Sequence, residues 1–104
     1  MRMIDEIGET ATLELLAEEC VELAHAALKL ARKYRKENPT PVSEVQCKSD
    51  IMEEMADVSL CMEGVQECRW ASTALLENIK RNKMKRMENR LAEIRRNAPD
   101  FPFH

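Results

Sequence analysis

Residues 13–34 read LELLAEECVELAHAALKLARKY, and the organisation of the chain follows from that stretch. Leu13, Leu16, Ala17, Cys20, Leu23, Ala24, Ala27, Leu30, Ala31 and Tyr34 recur at steps of three and four. That spacing keeps side chains on one face of an α-helix. The pattern predicts a helix over residues 10–37. It stops before Asn38-Pro39-Thr40-Pro41, because a proline disfavours the helical conformation in the residue before it.

Two more helices follow. Ser43 and Gln46 form an S-x-x-Q capping box that starts the second. Its apolar stripe is read as Val45, Met52, Met55, Ser59, Met62 and Val65 or Gln66, ending near residues 68–70. Gly64 weakens its last turns. Ser72 or Thr73 caps the third helix, which runs to about Asn97 with Leu76, Ile79, Met87, Leu91 and Ile94 on its buried side. Pro99 stops it. Residues 1–8 leave room for a short extra helix.

The composition agrees. Of 104 residues only 4% are aromatic and two are glycine, which excludes an all-β sandwich or barrel. The expected fold class is all-α: three long helices, with a short N-terminal helix in addition. Residues 1–98 read as a single domain and residues 99–104 as an extended tail. A domain of this size buries only roughly two-thirds of its unfolded surface, so the bundle is expected to be completed by oligomerisation.

No stretch reaches the ~18 apolar residues of a transmembrane helix. Asp5 and Glu6 stand where a signal peptide has its apolar run, so a cytoplasmic protein with no membrane partner is expected. The four cysteines, Cys20, Cys47, Cys61 and Cys68, form no C-x-x-C pair. They read as small core residues, and their spacing argues against zinc. Met52, Met55, Met62, Met84 and Met87 read as adaptable core filler. No histidine motif accompanies Cys20 or Cys61, which argues against a cysteine nucleophile.

The net charge of −3 conceals a division. Residues 1–68 carry 7 basic and 15 acidic side chains; residues 69–104 carry 9 and 4. The first portion suits a cation and the second an anion, unless the two pair with each other.

The acids are also patterned. Glu18-Glu19-Cys20-Val21-Glu22 lies in the first helix and Glu53-Glu54-Met55-Ala56-Asp57 in the second. Positions three apart share a helix face, so Glu19 projects with Glu22, and Glu54 with Asp57. Each pair is placed at the edge of the seam between the helices. Antiparallel packing would bring four carboxylates to one point. Like charges so placed repel, and a hard divalent cation such as Mg²⁺ resolves the repulsion with oxygen ligands. Such a cation can clamp a polyphosphate and activate water. On the third helix Lys80, Lys83, Arg86 and Arg90 share a face suited to phosphate. Glu22-x-x-His25 is the unit of di-iron bundles, which need two such units, and the only other histidine is His104. His25 either faces the substrate or is a plain seam residue.

Glu18-Glu19-x-x-Glu22, followed 31 residues after its last Glu by Glu53-Glu54-x-x-Asp57-Val58, resembles the all-α nucleoside triphosphate pyrophosphohydrolases, the MazG-like superfamily. The resemblance spans about residues 10–92. Leu23, Ala26, Lys29 and the stretch Lys83-x-x-Arg86 add to it. It implies a Mg²⁺-dependent hydrolase, with Mn²⁺ as a substitute, that works as a homodimer or homotetramer. The implied reaction converts a nucleoside triphosphate to the monophosphate and pyrophosphate. By the same resemblance Glu19, Glu22, Glu54 and Asp57 would be the metal ligands. Glu18 or Glu53 would assist a second metal or the attacking water, and Lys83 and Arg86 would hold phosphate oxygens. An aromatic base pocket is not evident, since only Tyr34 and Trp70 lie outside the tail.

Two other readings stand beside this one. Phosphoribosyl-ATP pyrophosphohydrolase is similar to the same family, and shared fold does not fix substrate. A non-catalytic helical interaction module is the reading from a different class. Nucleic-acid binding is disfavoured by the acidic balance and by the absence of a recognition motif.

Overall fold

Helix propensity and capping account for the three elements in the computed structural model, which describes residues 1–36 and 41–98. These are α1 (Met3–Arg35), α2 (Glu44–Gln66) and α3 (Thr73–Asn97). Every element among the described residues is helical. No helix among them is long and apolar enough to cross a membrane. The expected end of the first helix at Glu37, the Pro39-Thr40 stretch and the tail 99–104 lie outside the described residues.

The residues expected to form a short N-terminal helix are joined to α1 across a break at Gly8 (φ 84°, ψ 166°). This conformation is open essentially to glycine alone. The hydroxyl of the wholly buried Thr12 donates to the Gly8 carbonyl at 2.7 Å. It satisfies one acceptor near the break.

Ser43 caps α2 by accepting from the Gln46 amide at 3.1 Å. The reciprocal half of the capping box does not form: the Gln46 side chain donates to Asp50 Oδ1 at 2.8 Å. At α3, Ser72 rather than Thr73 is the cap, accepting from the Leu75 amide at 3.1 Å.

The chain divides into two compact units, Met1–Arg69 and one beginning at Trp70. In the first, α1 and α2 pack as an antiparallel hairpin. Lys29 shares a cleft with Cys47, Glu19 with Asp57, and Thr12 approaches Gly64. Ascending α1 therefore runs against descending α2. A Cβ on Gly64 would come 2.8 Å from Met3 Sδ and 3.1 Å from Thr12 Cγ2, so glycine lets the helices close there. Arg2 ties the same end together by donating to the Glu67 carboxylate at 3.3 Å and to its carbonyl at 3.1 Å.

The stripe that faces α1 is not the one expected. Cys47, Val58, Cys61, Gly64 and Cys68 are the buried residues around α2, with Ile51, Glu54 and Val65 half-buried between them. Met52, Met55 and Met62 are 65%, 47% and 43% exposed and Val45 is 78% exposed. The true stripe is offset by one residue, about 100° of helix rotation. Three cysteines are core residues as expected, and Cys20 is exposed. The methionines are not core filler, and Met84 and Met87 on α3 are likewise exposed. In its own unit α3 keeps Leu76 and Leu91 half-buried and leaves Ile79, Met87 and Ile94 exposed.

Candidate metal centre

The seam of the hairpin has a heptad rhythm. Along α2 and the turn after it the positions 47, 51, 54, 58, 61, 65 and 68 advance by four and three in turn, and all are buried or half-buried. On α1 the same holds for 12, 16, 19, 23, 26, 30 and 33. Such spacing keeps one stripe facing the partner helix. Within this rhythm two positions are carboxylates. Glu19 stands between Leu16 and Leu23, and Glu54 between Ile51 and Val58. They belong to the seam itself rather than to its edge.

Antiparallel packing brings these two together with Asp57, which follows Glu54 by three positions. Glu19, Glu54 and Asp57 each offer a carboxylate oxygen, and these oxygens lie within 4.8 Å of one another. Oxygen ligands on opposite sides of one Mg²⁺ sit about 4.2 Å apart, twice the ~2.1 Å bond. The group is thus within a small side-chain adjustment of enclosing a divalent cation.

The electrostatics point the same way. Burial at the seam pushes the Glu54 carboxyl above its ordinary range, and Asp57, Glu19, Glu22 and Glu53 push it further. Its Oε2 is buried and has no hydrogen-bond partner. A buried acceptor left unpaired is costly, and a cation is a partner that also cancels the surrounding charge. Next to the group, burial raises the Cys61 thiol, and Glu19, Asp57 and Cys20 raise it further. The close group itself is made of three carboxylates, a hard oxygen donor set. That set suits Mg²⁺ or Mn²⁺ rather than a thiophilic metal.

Two clefts flank the group. One, of about 210 Å³, is lined by Met3, Leu15, Glu19, Asp57, Leu60 and Cys61. The other, of about 150 Å³, lies toward the C-terminal end of α1, and Glu22, His25, Lys29, Asp50, Glu53 and Glu54 are among its lining residues.

The sequence-derived acids are therefore distributed unevenly. Glu19, Glu54 and Asp57 form the close group. Glu22 joins from the next turn, near enough to act on Glu54. Glu53 lines the second cleft beside it. Glu18 is exposed and belongs neither to the close group nor to either cleft lining. Lys83 and Arg86 are exposed on α3, where with Met87 and Arg90 they line a shallow cleft of their own.

Asp50 is a site neighbour that sequence reasoning missed, and Cys61, weighed there as a core residue, also adjoins the group. Asp50 lies one turn before Glu54 and Cys61 one turn after Asp57, so a correct seam register finds both. Comparison with protein-family models, with curated proteins and with solved structures found no match to this chain.

Proposed function

We propose that the protein is a Mg²⁺-dependent nucleoside triphosphate pyrophosphohydrolase, releasing the monophosphate and pyrophosphate. The observation that carries this reading is the close group itself. Three carboxylates from two helices approach within 4.8 Å at the seam, one with an orphaned buried oxygen. A structural seam would place apolar side chains at positions 19 and 54, so the strain argues for a ligand. The spacing Glu19, Glu22, Glu54 and Asp57 is also the part of the sequence that resembles the MazG-like superfamily.

In this reading Glu19, Glu54 and Asp57 hold the cation, with Glu22 completing the set from the adjacent turn. When bound, the cation supplies charge neutralisation for the phosphate chain and acidity to a coordinated water. Glu53, which lines the second cleft together with Glu54, would accept a proton from the attacking water. The exposed position of Glu18 leaves it a lesser role. Lys83 and Arg86 present their charges on an exposed face of α3, a phosphate surface by chemistry.

A second copy of the chain is the proposed partner. Leu13, Val21 and Leu28 on α1 and Met52, Met55 and Met62 on α2 are each 41–65% exposed and follow helical spacing. Apolar helix faces of this kind are normally covered. The lack of a membrane-spanning helix among the described residues fits the cytoplasmic setting where nucleotides are abundant.

The test is pyrophosphate release from a panel of ribo- and deoxyribonucleoside triphosphates, and from phosphoribosyl-ATP, with and without Mg²⁺. Pyrophosphate from at least one substrate, only with Mg²⁺ and not from Asp57→Ala, is the expected result. Release from phosphoribosyl-ATP alone would transfer the assignment to the histidine-pathway enzyme. No release from any, with no effect of Mg²⁺ on the melt, would leave a helical interaction module.

A further inference from the structure

The second cleft has two unlike ends. At one end stand Glu22, Glu53 and Glu54, the flank of the proposed metal centre. At the other stands Lys29, seven residues beyond Glu22 on α1, about 10.5 Å along the axis at 1.5 Å per residue. Lys29 and His25 are both exposed and line the cleft together with Glu22. Neither the Lys29 nor the His25 side chain makes an ion pair or hydrogen bond among the described residues. Asp50, across the cleft, is already held by the Gln46 side chain. An ammonium group thus lines a cleft with four carboxylates and pairs with none of them, which leaves the space between for a bridging group.

Size narrows what that group is. Pockets that enclose a whole drug-sized ligand run to about 300–1,000 Å³. This one is about 150 Å³, so it encloses a group of phosphate size rather than a whole nucleotide. Charge sets a further condition. With four carboxylates against one ammonium, the bare cleft repels an anion, so a phosphate enters only with a divalent cation at the carboxylate end.

We propose that this cleft receives the diphosphate end of the substrate, with Lys29 as its cationic contact and His25 as a hydrogen-bonding partner. The inference rests on the metal-centre reading above and assigns a substrate subsite within it. It also places a phosphate contact on the same helix as Glu19 and Glu22, in addition to the basic face of α3. Lys29 sets affinity for the diphosphate and takes no part in holding the cation.

Titration calorimetry of the full chain with inorganic pyrophosphate at saturating Mg²⁺ tests this. Wild type is expected to bind, and to bind nothing when Mg²⁺ is chelated. Lys29→Gln should weaken binding roughly tenfold or more, the loss of one charge-assisted hydrogen bond, and Lys29→Arg should retain most of it. The rise in melting temperature with Mg²⁺ alone should be equal in all three proteins. Wild type that fails to bind pyrophosphate with Mg²⁺, or Lys29→Gln that binds as tightly as wild type, overturns the proposal. Lys29-dependent binding without triphosphate hydrolysis would keep the subsite and contradict the enzyme reading. Hydrolysis with KM indifferent to Lys29→Gln would do the reverse.

Discussion

Position 54 carries a carboxylate where the seam rhythm calls for an apolar side chain, and its consequences can be measured on the isolated residue. The folded state holds the Glu54 proton more tightly than the unfolded state, because burial and four neighbouring carboxylates oppose its ionisation. Between the ordinary glutamate range and the raised value, the native state therefore binds more protons. Stability from this group is fully present below the ordinary range and is lost as pH rises through the raised value. Without Mg²⁺, the melting temperature of wild type should accordingly decline from mildly acidic toward neutral pH. Glu54→Gln removes the charge at nearly constant volume. At pH 7 it should melt above wild type in the absence of metal, gain nothing from Mg²⁺, and lose most of the pH slope. A Glu54→Gln protein that melts below wild type without metal would show that the carboxylate stabilises the seam by itself.

At the scale of elements, the hairpin was largely legible and its register was not. Ser43, Ser72, the prolines and the long three–four pattern mark the helices, because caps and breakers act locally. The face of α2 is off by one residue because the true stripe, Cys47, Ile51, Val58 and Cys61, is interrupted by a carboxylate at position 54, whereas the stripe of Met52, Met55 and Met62 carries no acid. Counting Glu54 as polar then hid the true stripe. The break at Gly8 was marked only by a glycine, and Thr12 gave no hint that it is buried. N-terminal to that break Met3 lies against Gly64 and Arg2 reaches Glu67. Gly8→Ala should cost about 1–3 kcal/mol in chemical denaturation, since alanine is strained at this φ and ψ. A gain in stability would mean that α1 runs straight in solution. The site was legible to the extent that it follows helix spacing. Glu19, Glu54 and Asp57 come together as spacing implied, while the separation of Glu18 from them depends on which way each helix is turned.

At the scale of the whole molecule, the apolar faces of α1 and α2 and the metal centre make one account: a hairpin that carries the carboxylates and pairs with another copy. Met55→Glu combined with Met62→Glu puts two charges on an outer face of α2 without touching the seam. It should shift the protein to monomer in light scattering, where wild type runs as a dimer or tetramer, while α-helical circular dichroism is kept. Wild type that is itself monomeric at micromolar concentration would remove the second copy from the account. The central claim is that the converging carboxylates serve cleavage between the α- and β-phosphates of a nucleotide. A phosphorus-31 spectrum of a nucleoside triphosphate incubated with the protein and Mg²⁺ reads the bond broken directly. The account predicts signals of monophosphate and pyrophosphate that vanish with chelator and with Asp57→Ala. Orthophosphate and the nucleoside diphosphate instead, or equal turnover by Asp57→Ala, would contradict it.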